Sequence, residues 1–371
     1  MDNDFVKMKK IVFAMATLNG GGAERVAAAL AGYIHSLDDY EVHLITYFRN
    51  PDRDYPLQSD IIWHSMDVEE ANPIRRILGK VSYMRSAIRH IDPICVISLA
   101  GPEMLTLIAA AVKGLGIPLI FSERNDPARY PVAKHLRVLR LWAYRQSDAV
   151  VFQTGEAMSF FSTKIQKKGI VIPNPLTQSI PERYKGARLP KIVTSCRLEP
   201  QKNLDLLINS FAEIASRYPT HMLYIYGEGM ERSRLEMKAL EMGLTDRIVF
   251  PGYSNHIFED ILQAALFVLP SNYEGISNSM LEAIALGVPT IATDCPVGGA
   301  RETIVDGFNG ILVPVGNKKK MVQAMIAVLS NQELSKNLSR NGALLREKLD
   351  ISCIAERWLE LIDQVALQPK Q

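Results

Sequence analysis

The chain has 371 residues, of which 47% are hydrophobic and 22% charged, and a formal net charge of +2. The composition is that of an ordinary soluble globular protein, the length points to about two domains, and the balanced charge excludes nucleic acid as a bulk electrostatic partner while leaving local patches to be sought separately. Cys95, Cys196, Cys295 and Cys353 form no C-x-x-C pair, which argues against a zinc site or a disulfide framework and fits a reduced, cytoplasmic protein.

The first apolar run, "KIVFAMAT", has a short apolar core with Asp2 and Asp4 ahead of it, so it reads as a buried strand and not as a signal peptide. "ATLNGGGAER" follows and leads into a helix expected over 23–37. Three consecutive glycines between strand and helix permit positive φ and close backbone approach, and the N–H groups of a first helical turn attract anions. The dinucleotide fingerprint fails here: its third glycine would fall on Arg25, and the second strand ends in "TYFRN" with no ribose-binding acid. A purely structural glycine turn is the plain alternative.

"EVHLITYF", "ICVISLA", "IPLIFS" and "DAVVFQT" continue the series, with helices expected at 102–113 and 155–165. Strands apolar on both faces and alternating with helices indicate a parallel sheet between helix layers. The richest apolar stretch, "TLIAAAVKGLGIPLIF", is interrupted by Lys113, Gly114, Gly116 and Pro118, so no segment is long enough to cross a bilayer. Two segments are basic without an acid. Over 74–91, Ile74, Ile77, Leu78, Val81, Met84, Ile88 and Ile91 form one helical face, with Arg75, Arg76, Lys80, Arg85 and Arg89 elsewhere. Residues 132–145 add Lys134, Arg137, Arg140 and Arg145. Such helices suit an anionic membrane surface, or equally a core helix with a solvated basic face.

Residues 173–190 hold four prolines and no apolar periodicity and read as a linker between a first domain at 1–172 and a second at 191–350. The strand and helix alternation restarts with "KIVTSC", "HMLYIYG", "RIVFPG", "ALFVLPS", "PTIATD" and "GILVP", with helices near 203–217, 230–242, 278–287 and 319–345. A last helix at 352–366 places Ile354, Trp358, Leu361, Ile362 and Val365 on one face.

Three loops of the second half carry charge or glycine at strand ends. In "SCRLEPQKN", Arg197 and Lys202 flank a turn at Pro200, a fork and a point charge that together suit a diphosphate. In "YGEG", Gly227 and Gly229 let backbone approach a ligand. In "LPSNYEGISNSMLEAIALGVPTIATD", Glu274 lies in a loop, Asn278 caps the next helix and Glu282 falls one turn inside it. The N–H groups of Asn278 and Ser279 suit phosphate, and paired carboxylates beside it suit the vicinal hydroxyls of ribose or a sugar. A turn glutamate and a solvated surface glutamate are the alternative reading.

Taken together, the E-x7-E spacing of Glu274 and Glu282, "RLEPQKN", "YGEG", "GGGAER" and "GVPTIATDCPVGGARE" resemble the retaining glycosyltransferases of family four, over nearly the whole chain. The resemblance implies a GT-B fold: two doubly wound Rossmann-like domains facing a cleft, with the last helix crossing back to the first domain. It implies a nucleotide-sugar donor, a UDP-sugar, bound mainly by the C-terminal domain, no cofactor or metal, and an acceptor held by the N-terminal domain. Arg197 and Lys202 would hold the donor diphosphate, Glu282 the ribose and Glu274 the transferred sugar. Asn278, Ser279 and Gly227 would contribute backbone to the donor, with Gly21 and Gly22 closing over it. Many relatives place a histidine after the strand corresponding to "IPLIFS". Here Glu123, Arg124 and Asn125 occupy that loop, so they become the acceptor-side candidates. Relatives that build surface polysaccharides such as O-antigen or capsule suggest an undecaprenyl-diphosphate-linked glycan as acceptor, at the cytoplasmic face of a bacterial membrane. Transfer to a soluble sugar acceptor, a sugar-nucleotide epimerase of similar fold and a sugar-nucleotide binding module are the competing functions.

Overall fold

The computed structural model describes residues 8–66, 72–176 and 180–367. Asp2 and Asp4, and residues 177–179 of the proline-rich segment, lie outside them. The chain divides into two compact units, Met1–Pro175 with Asp350–Gln371, and Leu176–Leu349.

In the first unit the order is β1 (Lys9–Ala14), α1 (Gly22–His35), β2 (Tyr40–Thr46), β3 (Ile62–Ser65), α2 (Pro73–Ile91), β4 (Cys95–Ser98) and α3 (Pro102–Val112). It continues through β5 (Leu119–Glu123), α4 (Lys134–Gln146), β6 (Ala149–Phe152), α5 (Gly155–Ser159), α6 (Thr163–Gln166) and β7 (Gly169–Val171). The strands form one sheet in the order β3-β2-β1-β4-β5-β6-β7, all pairs parallel. Ile11, Val12, Phe13 and Ala14 are wholly buried, as expected of a central parallel strand covered on both faces. The order reverses between β1 and β4, the place where open α/β sheets bind ligands beyond their strand ends.

The second unit runs β8 (Leu189–Ser195), α7 (Leu204–Ile214), β9 (Met222–Tyr226), α8 (Arg232–Glu241), β10 (Ile248–Gly252), α9 (Ile257–Leu262) and β11 (Ala264–Leu269). Then come α10 (Asn278–Ala285), β12 (Thr290–Asp294), β13 (Ile311–Pro314), α11 (Lys318–Ser330), α12 (Gln332–Gly342) and α13 (Leu345–Lys348). The six-stranded sheet has the order β10-β9-β8-β11-β12-β13, again parallel, with its reversal between β8 and β11. Its core gathers Leu207, Ile208, Phe211, Leu223, Ile225, Leu266 and Val268. The final helix, α14 (Ile351–Leu367), belongs to the first unit, where it meets α1 and β4. Ile354, Trp358, Leu361, Ile362 and Val365 are its buried face, and Lys9 pairs with Asp363 at 2.8 Å. The apolar face read from the sequence is thus the cover of the first sheet.

Several expected elements differ in detail. The segment 319–345 is three helices: Asn331 is extended (φ −113°) and its side chain accepts from the Leu334 N–H at 3.0 Å, capping a new helix. The helix read over 155–165 is interrupted at 160–162, with Ser162 extended ahead of α6. The proline-rich segment ends early, because β8 begins at Leu189. Just before it, Arg188 donates to the carbonyls of Leu262 (3.2 Å), Ala264 (2.9 Å) and Gly287 and to Ser339 Oγ (3.0 Å), which ties this stretch to the second unit.

Candidate active site

Two loops that stand about 70 residues apart in sequence meet at the carboxyl edge of the second sheet. A 3-10 turn, Pro200–Lys202, follows β8, and residues 270–277 follow β11. Asn272 donates its N–H to the Gln201 carbonyl at 2.8 Å and its amide to the Pro200 carbonyl at 3.2 Å. Asn203 donates to Asn272 Oδ1 at 2.9 Å, and Gln201 Nε2 to the Tyr273 carbonyl at 2.8 Å. Backbone groups that loops usually leave to water are therefore spent on holding one loop to the other.

Glu274 sits where they join. Its Oε1 receives the Lys202 ammonium and the Ser271 hydroxyl (2.8 Å), and its Oε2 receives Gln201 Nε2 at 3.3 Å. Glu274 is 9% exposed and Lys202 8%. Burial by itself would lower the Lys202 pKa, but the facing Glu274 outweighs it and holds that pKa above the ordinary value, with Arg197 working in the opposite direction. Arg197 is close enough to be felt, yet it is exposed and pairs with Glu199 at 2.9 Å. The two cations read as converging on one anion are therefore engaged separately: Lys202 with Glu274, Arg197 with Glu199. Cys196 and Cys295 lie close enough to this pair to feel its charges, and burial pushes their thiols up to about 11 and about 12, so both stay protonated and unreactive.

Glu282 falls in the second turn of α10 and is 4% exposed. A carboxylate so deeply buried is not a solvated surface group, which removes that alternative for Glu282; Glu274 does lie in a turn, bonded to Ser271 three residues back. The helix cap is Ser277 and not Asn278, which is the first helical residue. Ser277 makes no side-chain cap bond; its hydroxyl lies 3.1 Å from that of Ser279.

The glycines turn out to be small for reasons inside the chain. A Cβ on Gly227 (φ +119°) would stand 1.9 Å from the Cys196 carbonyl oxygen, and one on Gly229 would stand 2.4 Å from that of Leu198. The strand-end loops after β8 and β9 run against each other there, joined by Leu198 N–H to the Glu228 carbonyl at 2.8 Å. In the first unit, a Cβ on Gly21 would meet the Glu24 carboxylate at 1.9 Å. Gly21 is the cap of α1 and Gly22 its first residue, so a carboxylate from three residues on covers the turn. What approaches this backbone is the chain's own anion, at the very helix end that would attract a phosphate.

The loop after β5 separates its three candidates. Glu123 turns inward: its Oε2 accepts from Arg140 Nη1 at 3.0 Å and from the Tyr144 hydroxyl at 3.2 Å, and Arg140 also donates to the Tyr130 (2.7 Å) and Pro127 (3.0 Å) carbonyls. Burial raises the Glu123 pKa against the pull of Arg140. A carboxylate so enclosed is tied to α4 within its own unit. Asn125 Oδ1 accepts from the Asp126 N–H at 2.8 Å, which fixes its own turn. Arg124 donates to Ser122 Oγ at 3.3 Å and keeps its buried Nη2 without a partner. Burial draws its pKa down to about 9, with Glu24 opposing the shift. Arg124 and the Asn125 amide nitrogen thus retain donor capacity for a ligand.

The two basic segments are also less uniform than their spacing suggests. Arg140 is 1% exposed, and Arg85 donates to the Ala111 (2.9 Å) and Lys113 (2.7 Å) carbonyls at the end of α3. Lys80 lies over the rings of Tyr47 (4.6 Å) and Phe48 (5.1 Å). The apolar face of α2 is buried at Met84, Ile88 and Ile91, whereas Ile74, Ile77 and Leu78 are exposed beside exposed Arg75 and Arg76. Among the described residues, no three His, Cys, Asp or Glu side chains converge to hold a metal ion, and no helix is long and apolar enough to cross a membrane.

Gln201 and Ser271 escaped the sequence reading. Neither is charged and they share no periodicity, so only the folded loops reveal that both reach Glu274.

Two family models match successive parts of the chain: "Glycosyltransferase Family 4" over 20–177 and "Glycosyl transferases group 1" over 179–344. A Campylobacter jejuni N-acetyl-D-galactosaminyltransferase, named for a diNAcBac-PP-undecaprenol glycan, is 26% identical over 96% of this chain and 99% of its own. A second from the same organism, named for a diphospho-undecaprenol glycan, is 26% identical over 95% of this chain and all of its own. Among solved structures, Anabaena HepE in complex with UDP and glucose superposes with a TM-score of 0.83 at 17% identity, covering 96% of this chain and 100% of that one. With both sheets, the returning helix and both family matches in agreement, the chain belongs to the family-four type of GT-B glycosyltransferases.

Proposed function

We propose that this glycosyltransferase moves a hexosyl or N-acetylhexosaminyl unit, with retention of configuration, from a UDP-sugar to an undecaprenyl-diphosphate-linked glycan in the synthesis of a bacterial surface polysaccharide. The observation that carries the reading is the buried Glu274, ion-paired with Lys202 and followed by the buried Glu282 of α10. As the bond from the sugar to the diphosphate breaks, its electron pair passes to the diphosphate while positive charge develops on the sugar. Lys202 and Arg197 offset the first charge and Glu274 the second, in surroundings where water screens little. Glu282 accepts from the ribose hydroxyls, and Asn278 and Ser279 turn the start of α10 toward phosphate. Lys202 and Arg197 take the part that a metal ion plays in other transferases, so turnover requires no metal.

For the acceptor, support comes from the undecaprenol-linked substrates in the relatives' names and from the exposed Ile74, Ile77 and Leu78 that flank the exposed Arg75 and Arg76. Apolar side chains ringed by arginine seat a helix in the boundary of an anionic bilayer, here the inner face of the cytoplasmic membrane. Arg124 is the acceptor-side donor.

The test incubates the purified protein with UDP-glucose, UDP-galactose and their N-acetylamino forms, with and without a bacterial lipid extract, in the presence of a chelator. UDP release that requires the lipid extract and yields an α-linked product is expected. Release only with soluble sugars transfers the reading to a soluble acceptor. A changed sugar on intact UDP would make the protein an epimerase, and binding without turnover a carrier. Activity abolished by the chelator and restored by magnesium refutes the metal-free mechanism.

A further inference from the structure

Glu274 and Lys202 are each other's partner in this structure, yet the proposed function, on which the following rests, asks each to serve a different part of the donor. When the Lys202 ammonium turns to the diphosphate, a carboxylate 9% exposed loses its counter-charge, and a buried charge without hydrogen bonds is costly. Two neutral donors remain on it. Ser271 Oγ holds Oε1 at 2.8 Å and Gln201 Nε2 faces Oε2 at 3.3 Å.

Both donors are themselves fixed. The Ser271 carbonyl accepts from the Thr293 hydroxyl (2.6 Å) and the Cys295 thiol (3.2 Å) at the end of β12, and Ser271 is wholly buried. Gln201 spends its second amide hydrogen on the Tyr273 carbonyl at 2.8 Å, and its own carbonyl receives the Asn272 N–H. Gln201 cannot follow Lys202 toward a ligand without breaking the seam between the two loops, and the backbone that carries the Ser271 hydroxyl is pinned to the end of β12.

We propose that Ser271 and Gln201 are positioning residues that act through Glu274, holding its carboxylate in place while Lys202 exchanges it for the donor's diphosphate. Lys202 therefore serves as the group that binding displaces, and Ser271 and Gln201 as the groups that stay.

The experiment measures single-turnover UDP release, with whichever UDP-sugar the unmodified protein consumes, for Ser271→Ala and Gln201→Met in the natural and the Glu274→Gln backgrounds. UDP alone is the binding probe, by calorimetry. Each substitution is expected to slow turnover roughly tenfold, the size of a lost hydrogen bond to a charged group, and to weaken UDP binding as well, because the diphosphate that draws Lys202 away from Glu274 is present in UDP. In the Glu274→Gln background each should cost less than about twofold more, since the group they position is already altered. A loss of equal factor in both backgrounds, or no loss in the natural one, overturns the inference. Gln201→Met carries the same prediction should Ser271→Ala fold poorly. If the unmodified protein releases UDP from no donor, the proposed function falls and the inference with it; release with independent losses sinks the inference alone.

Discussion

At the carboxyl edge of the second sheet the loops after β8, β9 and β11 are bonded to one another, and the groups with chemistry to offer lie buried in the seams between them. At the same edge of the first sheet the loops after β1 and β2 are bridged by Asn19 and Asp54 at 3.3 Å, while the charged groups are held locally: Glu24 covers Gly21, Arg140 and Tyr144 enclose Glu123, and Asn125 holds Asp126. Donor capacity remains there on Arg124 and on the Asn125 amide, beside a rim of exposed isoleucine, leucine and arginine on α2. A seam shared by three loops cannot adapt without the sheet, and so suits a ligand part that never varies, such as a nucleoside diphosphate. The loop after β5 closes on α4 instead, and can change without disturbing such a seam.

The largest test of that contrast is structural. Arg140→Met strands the buried Glu123, and losing one partner of a buried pair costs about 3–5 kcal/mol. Denaturant unfolding should show that loss in the first unit and leave the transition of the second unit in place; a change below about 1 kcal/mol would mean that Glu123 finds water or another donor. Replacing both, as Glu123→Gln with Arg140→Met, should recover much of the loss, because no unpaired charge is left.

Next come the two carboxylates of the shared seam. Glu274→Gln removes a charge opposite a developing positive one, so turnover should fall roughly a hundredfold, about 2.7 kcal/mol, with donor affinity little changed. Glu282→Gln removes bonds made in ground and transition states alike and should chiefly weaken donor binding. Calorimetry beside single-turnover rates decides; normal turnover by the first together with normal binding by the second would remove both residues from the site.

The smallest effect belongs to the exposed rim. Reversing Arg75 and Arg76 to glutamate should weaken co-sedimentation with phosphatidylglycerol vesicles by about 1 kcal/mol per residue at low salt, and added salt should erase the difference. Vesicle binding untouched by reversal would move membrane contact elsewhere, and Ile74→Ser with Leu78→Ser would then show whether apolar contact is involved.

Both sheets were legible because buried parallel strands are apolar on both faces, as in "KIVFAMA" and "ALFVL", and few other elements read that way. Glu274 and Glu282 were legible through their spacing around a helix start. Glu123 was not, because its partner Arg140 lies 17 residues on and looks, by spacing, like one more member of a solvated basic face. The apolar face of α2 was legible as a face, but not how much of it is covered: spacing reveals which residues share a side, whereas coverage depends on the neighbouring elements, here chiefly α3. The long helix expected over 319–345 failed for a local reason, since the Asn331 side chain caps a new helix more favourably than it continues the old one.

The Leu176 N–H donates to the Leu349 carbonyl at 2.7 Å, so the second unit begins and ends at one point and is spliced into the first as a continuous insert. During synthesis this sets an order of events. The second unit has all of its residues once Leu349 has left the ribosome and can fold as a block, while α1, made some 300 residues earlier, still lacks the helix that carries Trp358. α1 is thus left without its α14 cover until the whole second unit has been made, and the apolar side it shows in the meantime leaves the nascent first unit open to aggregation.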